Sequence, residues 1–149
     1  MSKMNLFGLR RRFGMKYAWA VGLAGSVGAL LRYEAGLWTH SWWHFAFPLA
    51  TLVINLTGCL ALGWFTAWAT TRPGLPEWLR LGIGTGLIGA YTTFSTFSVE
   101  TLTLLRDGRA GAAALYVGTS LVGGLLFAWV GFRLGERRPA AKNREVVGP

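Results

Sequence analysis

Acidic residues are scarce in this chain: 6 Asp and Glu stand against 15 Lys and Arg in 149 residues. Charged residues together make up only 14%, whereas a soluble domain carries about 25%. With hydrophobic residues at 52%, a water-facing surface would carry more contiguous apolar area than soluble monomers tolerate. The composition therefore argues against a soluble enzyme and equally against a disordered chain. The one cysteine, Cys59, leaves no disulfide framework. The two histidines, His40 and His44, lie four apart with no third ligand close by. They read as interfacial surface groups rather than a metal site. P-loop and dinucleotide motifs are missing as well. No catalytic constellation appears, so the chain is not read as an enzyme.

What the chain has instead is long apolar runs. Four blocks are marked off by charge, over roughly 17–38, 45–70, 78–105 and 111–134. Each is long enough for a helix, which needs about 20 residues to cross the hydrocarbon. The short connections between them, one with Pro73, Gly74 and Pro76, make sequential helices antiparallel neighbours. The expected fold is an all-α membrane protein, a single domain of four transmembrane helices, with a flexible basic tail over 135–149.

The net charge of +9 invites a nucleic-acid reading. Its placement contradicts that reading. Ten of the fifteen basic residues sit in the tails, from Lys3 to Lys16 and from Arg133 to Arg144. Basic tails beside apolar spans anchor a protein at a lipid surface, so membrane lipid is the expected partner and nucleic acid is not. Arg10, Arg11 and Arg12 ahead of an apolar run also suggest a twin-arginine export signal. The run continues to Arg32 without a cleavage site, well past the roughly 7–15 residues of a cleavable segment. The stretch therefore reads as a retained first helix.

Glycine, at 21 residues, is abundant and patterned. Gly82 with Gly86 and Gly131 with Gly135 form GxxxG pairs, while Gly22 with Ser26 and Ser120 with Gly124 repeat the small-xxx-small spacing. In lipid, such spacing lets helix backbones approach closely.

Polar groups inside the spans are the informative exceptions, because each is costly there and faces a partner or a cavity. Arg32 and Glu34 lie near the end of the first span, and Asn55 lies in the second with Thr51 one turn before it. By chemistry alone, Asn55 is either an interhelical hydrogen bond or a donor along a pathway. The third span runs GLIGAYTTFSTFSVE from Gly86 to Glu100. Its glycines loosen the helix just before a run of hydroxyl side chains. A break there frees backbone carbonyls, which are natural cation ligands. Phe94 and Phe97, three apart, share a face, and Thr93, Thr96 and Glu100 form an adjacent stripe. On these residues alone ordinary bundle core is the default reading and a pathway the alternative.

The block GAYTTFSTFSVE closely resembles the signature of the CrcB/Fluc family of fluoride channels. GSVGALLRY (Gly25 to Tyr33) and TLVINLTG (Thr51 to Gly58) resemble its first two spans, and Tyr116 with Ser120 fits the register of the fourth. The resemblance covers roughly 17–134. It implies a multi-pass protein of a bacterial cell membrane that pairs as an antiparallel dimer of dual topology. It also implies a third helix broken at mid-membrane. It assigns the fluoride pathway to Asn55, Phe94, Phe97, Thr96, Glu100, Tyr116, Ser120 and Arg32. It assigns a structural, untransported Na⁺ to the backbone carbonyls of Gly89 and Thr92. Two departures stand out: Ala90 replaces a second glycine common in the family, and Gly124 stands where Ser or Thr is frequent.

The residue chemistry is compatible with that assignment. Asn55 and the hydroxyls are donors without formal charge, and a phenyl ring presents a positive edge to an anion. Arg32 and a central cation would raise the local anion concentration. Two rivals come from other classes. A small proton-coupled multidrug exporter would need Glu34 or Glu100 as its carboxylate, and a bundle that only assembles other proteins would carry no ion flux. The orientation signal pulls against a homodimer. The amino tail, Arg72 and Arg80, and the carboxyl tail place twelve basic residues on one side, against Arg106 and Arg109 on the other. That split predicts one dominant orientation with both termini in the cytoplasm. The pair is therefore either a homodimer or a heterodimer with an oppositely oriented homologue.

Overall fold

The computed structural model describes the backbone of residues 6–136 and the side chains of residues 14–136. Most of the basic tail expected over 135–149, from residue 137 onward, lies outside the described residues, as do the side chains of Arg10, Arg11 and Arg12.

All described regular structure is helical. Helix α1 spans Leu6–His40, 35 residues, and begins well before the expected residue 17. Nothing in its basic first turns breaks a helix, so the helical bonding runs through them without regard to the change from polar to apolar. Helix α2 spans Leu49–Thr70. Its start falls later than the apolar block because Pro48, at the N-cap with φ −79°, has no N–H to extend the helix and restricts the residue before it.

The third helical stretch, α3, is composite. It opens at Glu77–Leu81, widens into π-helical turns over Gly82–Ile88, and closes at Gly89–Tyr91. Thr92 (ψ 160°) and Thr93 (φ −147°, ψ 124°) are extended, and helix α4 then runs over Phe94–Arg106. A Schellman motif ends α4: the Arg109 N–H donates to the Leu104 carbonyl at 2.8 Å and the Gly108 N–H to the Leu105 carbonyl at 3.1 Å. The motif requires a left-handed residue, which Gly108 supplies with φ 72°. Helix α5 spans Ala110–Gly135.

Two helices, α2 and α5, are long and apolar enough to cross a membrane. The other two expected spans differ for identifiable reasons: α1 contains its basic start together with Arg32 and Glu34, and the third is divided at residues 92–93.

Helix α2 packs most extensively against α5, and α1 packs along α3. The α2–α5 contact is backbone on backbone. A Cβ at Gly63 would collide with the Ala128 carbonyl, and a Cβ at Gly131 would collide with the Leu60 carbonyl. Between α1 and α3, Gly28 lies against the Leu87 carbonyl in the same way. The outward faces are apolar, with Trp19, Leu23 and Leu30 on α1 and Leu121, Leu125 and Trp129 on α5 all exposed.

The reciprocal glycine contact makes a prediction. Gly131→Ala should lower the thermal unfolding midpoint in detergent, with an overpacking cost of about 1–3 kcal/mol. Gly118→Ala, with nothing within 4 Å of its Cβ position, should leave the midpoint unchanged or raise it. Equal midpoints for the two variants would show that close α2–α5 approach is not required.

Candidate functional site

The extended pair Thr92–Thr93 organises the site. A helix that stops leaves its last carbonyls without partners, and the next helix begins with orphan N–H groups. Side chains answer part of each need. Thr93 caps α4, its hydroxyl accepting from the Thr96 N–H at 3.2 Å and donating to the Thr96 hydroxyl at 3.0 Å. Asn55 then grips the Thr93 backbone from α2. Its amide nitrogen donates to the Thr93 carbonyl at 2.9 Å, and its amide oxygen accepts from the Thr93 N–H at 2.8 Å. From α1, the Arg32 guanidinium donates to the Thr92 carbonyl at 3.4 Å. Asn55 therefore spends one donor and its acceptor on the backbone, and one N–H remains.

A second polar node sits two turns along α4. The two oxygens of Glu100 are both partnered: the Thr51 hydroxyl donates to one at 2.9 Å and the Tyr116 hydroxyl to the other at 2.7 Å. Thr51 precedes Asn55 by one turn, so a single face of α2 addresses both nodes. Tyr116 is fully buried. It packs against Phe97 with ring centroids 5.1 Å apart, and Phe97 lies 5.8 Å from Phe94.

The assigned residues fall into two grooves that share Thr93. One is lined by Asn55, Thr92, Thr93, Phe94, Phe97 and Ser120, and Cys59 also reaches it. The other is lined by Arg32, Thr51, Thr93, Thr96 and Glu100. Tyr116 lines neither groove and reaches the second only through Glu100. Gly89 lies outside both; its carbonyl accepts from the Thr92 hydroxyl at 3.2 Å. The Ser120 hydroxyl oxygen is buried and has no hydrogen-bond partner among the described residues. At 79% exposure, Phe94 is the most exposed large apolar side chain described, so its ring faces out of the single chain toward whatever covers it.

Two features went unassigned in the sequence reading. Thr51 is a direct partner of Glu100, a role that its i, i+4 spacing from Asn55 could have signalled. Ser98 and Thr101 donate to the Phe94 and Phe97 carbonyls one turn back, at 2.9 and 2.7 Å, so their hydroxyls are satisfied within α4.

These features define a class: a small all-helical membrane protein whose polar groups gather along an internal seam. The chain matches the family described as CrcB-like protein, Camphor Resistance (CrcB), over residues 19–132, and it belongs to that family. It is 52% identical over 116 residues to a Bacillus cereus protein named Fluoride-specific ion channel FluC 1, covering 78% of this chain and 85% of the relative. It is 51% identical over 129 residues to Fluoride-specific ion channel FluC 2 of Geobacillus kaustophilus, covering 87% and 97%. It is 46% identical over 115 residues to Fluoride-specific ion channel FluC of Pseudomonas fluorescens, covering 77% and 93%.

The Asn55 clamp is testable by itself. Asn55→Val orphans the N–H and carbonyl of Thr93, at about 1–3 kcal/mol for each group. The unfolding midpoint should fall, and the Thr93 amide should lose its protection against hydrogen exchange. Undiminished protection at Thr93 would mean that the clamp does not hold the extended pair.

Proposed function

We propose that this chain forms a fluoride-specific channel through which the anion leaves the cytoplasm passively. The observation that carries this reading is the composition of one groove. Asn55 and Ser120 bring uncharged donors, Ser120 with its hydroxyl unpartnered, beside the neighbouring rings of Phe94 and Phe97. Fluoride is small and strongly hydrated, so a pathway must replace its water with N–H, O–H and ring-edge dipoles. The names borne by the relatives support the same reading. Hydrogen fluoride crosses lipid uncharged and dissociates in a neutral cytoplasm, so the trapped anion needs only a passive exit. Arg32, Thr96, Glu100 and, through Glu100, Tyr116 extend the polar seam away from that groove.

We place the whole chain in a bacterial cell membrane as one multi-pass domain with four spans, the third broken at mid-membrane depth at Thr92–Thr93. Two chains pair antiparallel. The exposure of Phe94 supports a partner there, and the second chain is another copy or an oppositely oriented homologue. The lopsided distribution of basic residues suits the homologue, and two of the relatives carry the numbered names FluC 1 and FluC 2.

A structural Na⁺ fits the donor set at the end of α3. The carbonyl oxygens of Gly89 and Thr92 each accept one hydrogen bond, from the Thr92 hydroxyl and the Arg32 guanidinium, and keep a second lone pair of the hard, uncharged kind that suits such a cation. One chain supplies only these two, so the pair must complete the set. Bound there, the ion would add fixed positive charge beside the anion path without being carried.

The exporter reading is less well supported. Glu100 already accepts from two hydroxyls inside the seam, and Glu34 is exposed near the far end of α1, so neither is the buried, unpartnered carboxylate that such an exporter uses.

Fluoride-electrode efflux from proteoliposomes tests the reading directly. The protein should release internal fluoride, and Phe94→Ile and Phe97→Ile should each depress the rate by removing the ring edge while retaining bulk. Normal rates in both variants would discard the aromatic-edge mechanism. Exchange of Na⁺ for a bulky organic cation on both sides should inactivate the channel slowly. Full activity that persists without Na⁺ or Li⁺ would remove the structural ion.

A further inference from the structure

The cavity at the far end of the bundle contains a group that the pathway assignment does not use. It is lined by Thr39, His40, Trp43, Glu100, Thr103 and Asp107, with apolar neighbours from the connection between α1 and α2. Two ionisable side chains, His40 and Glu100, also line the Arg32 groove. The two spaces therefore share these side chains, and an anion moving between them passes Glu100 with Asp107 in the outer space. Two carboxylates oppose an anion. Arg32, which leans on the Thr92 carbonyl, lines the inner groove and not the outer cavity.

We propose that His40 sets the charge of this outer mouth and so controls how readily it captures fluoride. His40 is exposed. Its Nδ1 lies 2.8 Å from the Gly36 carbonyl. A carbonyl only accepts, so Nδ1 carries its proton and Nε2 is left to take a second. Imidazole is the side chain that gains charge between about pH 8 and pH 5. The ionisable groups that share these cavities with it are Arg32 and Tyr33 from α1 and Glu100 and Asp107 from α4. Helix α2 contributes only uncharged groups, and the 41–48 connection carries a second imidazole, His44, which lines neither space and is retained in the variants below. An imidazolium offsets one of the two carboxylates at the mouth, so anion capture rises as the solution turns acid.

The inference rests on the proposed pathway, and one experiment separates the two. Initial fluoride efflux is measured at pH 6 and pH 8, with equal pH on both faces and the leak of protein-free liposomes subtracted. The wild type should run about three-fold or more faster at pH 6, less than the ~10-fold minimum for a whole charged cleft because only one charge changes. His40→Gln should give one slow rate at both values. His40→Arg, with a permanent charge, should be as fast at pH 8 as the wild type at pH 6. A merely structural role would not produce that pH-independent gain. An unchanged wild-type ratio in His40→Gln, or no gain at pH 8 in His40→Arg, overturns the role of His40 and leaves the channel intact. Absence of flux in the wild type would overturn the channel reading, and this inference with it.

Discussion

Where a helix stops between other helices, it exposes polar backbone that water cannot reach, and something must answer every group. Here the stop at Thr92–Thr93 is answered from two neighbours. Asn55 on α2 takes both backbone groups of Thr93, and Arg32 on α1 reaches the Thr92 carbonyl. The rest of the polar seam follows from that arrangement. With its backbone held, Thr93 can cap α4, and the cap fixes the rotational setting of α4 about its axis. That setting turns Phe97 into the Ser120 groove, leaves Phe94 at its open side, and places Glu100 within reach of Thr51 and Tyr116.

Such an arrangement requires the helices to be close, and the glycines make them so. Gly63 and Gly131 bring α2 onto α5 through each other's backbone, and Gly28 seats α1 on α3. A side chain at Gly58, where a Cβ would meet the Thr92 methyl group, would hold α2 off the stop and draw the short Asn55 amide away from Thr93. Glycine at the crossings and asparagine at the stop are thus two parts of one requirement. The first sets the distance, and the second uses it.

The helices were legible because apolar length is a strong signal, and α2 and α5 show it most clearly. The start of α1 was not, since a charged segment without a breaker continues a helix as readily as an apolar one. The stop was legible in kind but not in its chemistry. The glycine run suggested loosening and became π-helical turns over Gly82–Ile88, while the extended residues are two threonines, whose β-branched side chains suit extended backbone. Asn55 shows why residue type alone was ambiguous. Packing and pathway were set against each other, yet the amide holds the backbone with one N–H and its oxygen while lining the groove with what remains. Glu100 illustrates a different limit. A carboxylate in a span looked unpartnered in the sequence because its two donors come from Thr51 and Tyr116, 49 and 16 residues away. Only the α2–α4–α5 packing brings them to it.

The same packing leaves one face unexplained by a single chain. Among the described residues, the buried side-chain polar atoms are satisfied from within apart from the Ser120 hydroxyl, and Phe94 projects outward beside the groove that this hydroxyl lines. Lipid would cover the phenyl ring but would offer the hydroxyl nothing. The proposed second chain would answer both: its apolar side chains could cover the ring, and a groove closed by protein would retain either the water or the anion that the hydroxyl lacks. The exposed ring and the unpartnered hydroxyl lie along one groove, so a single covering surface would serve both.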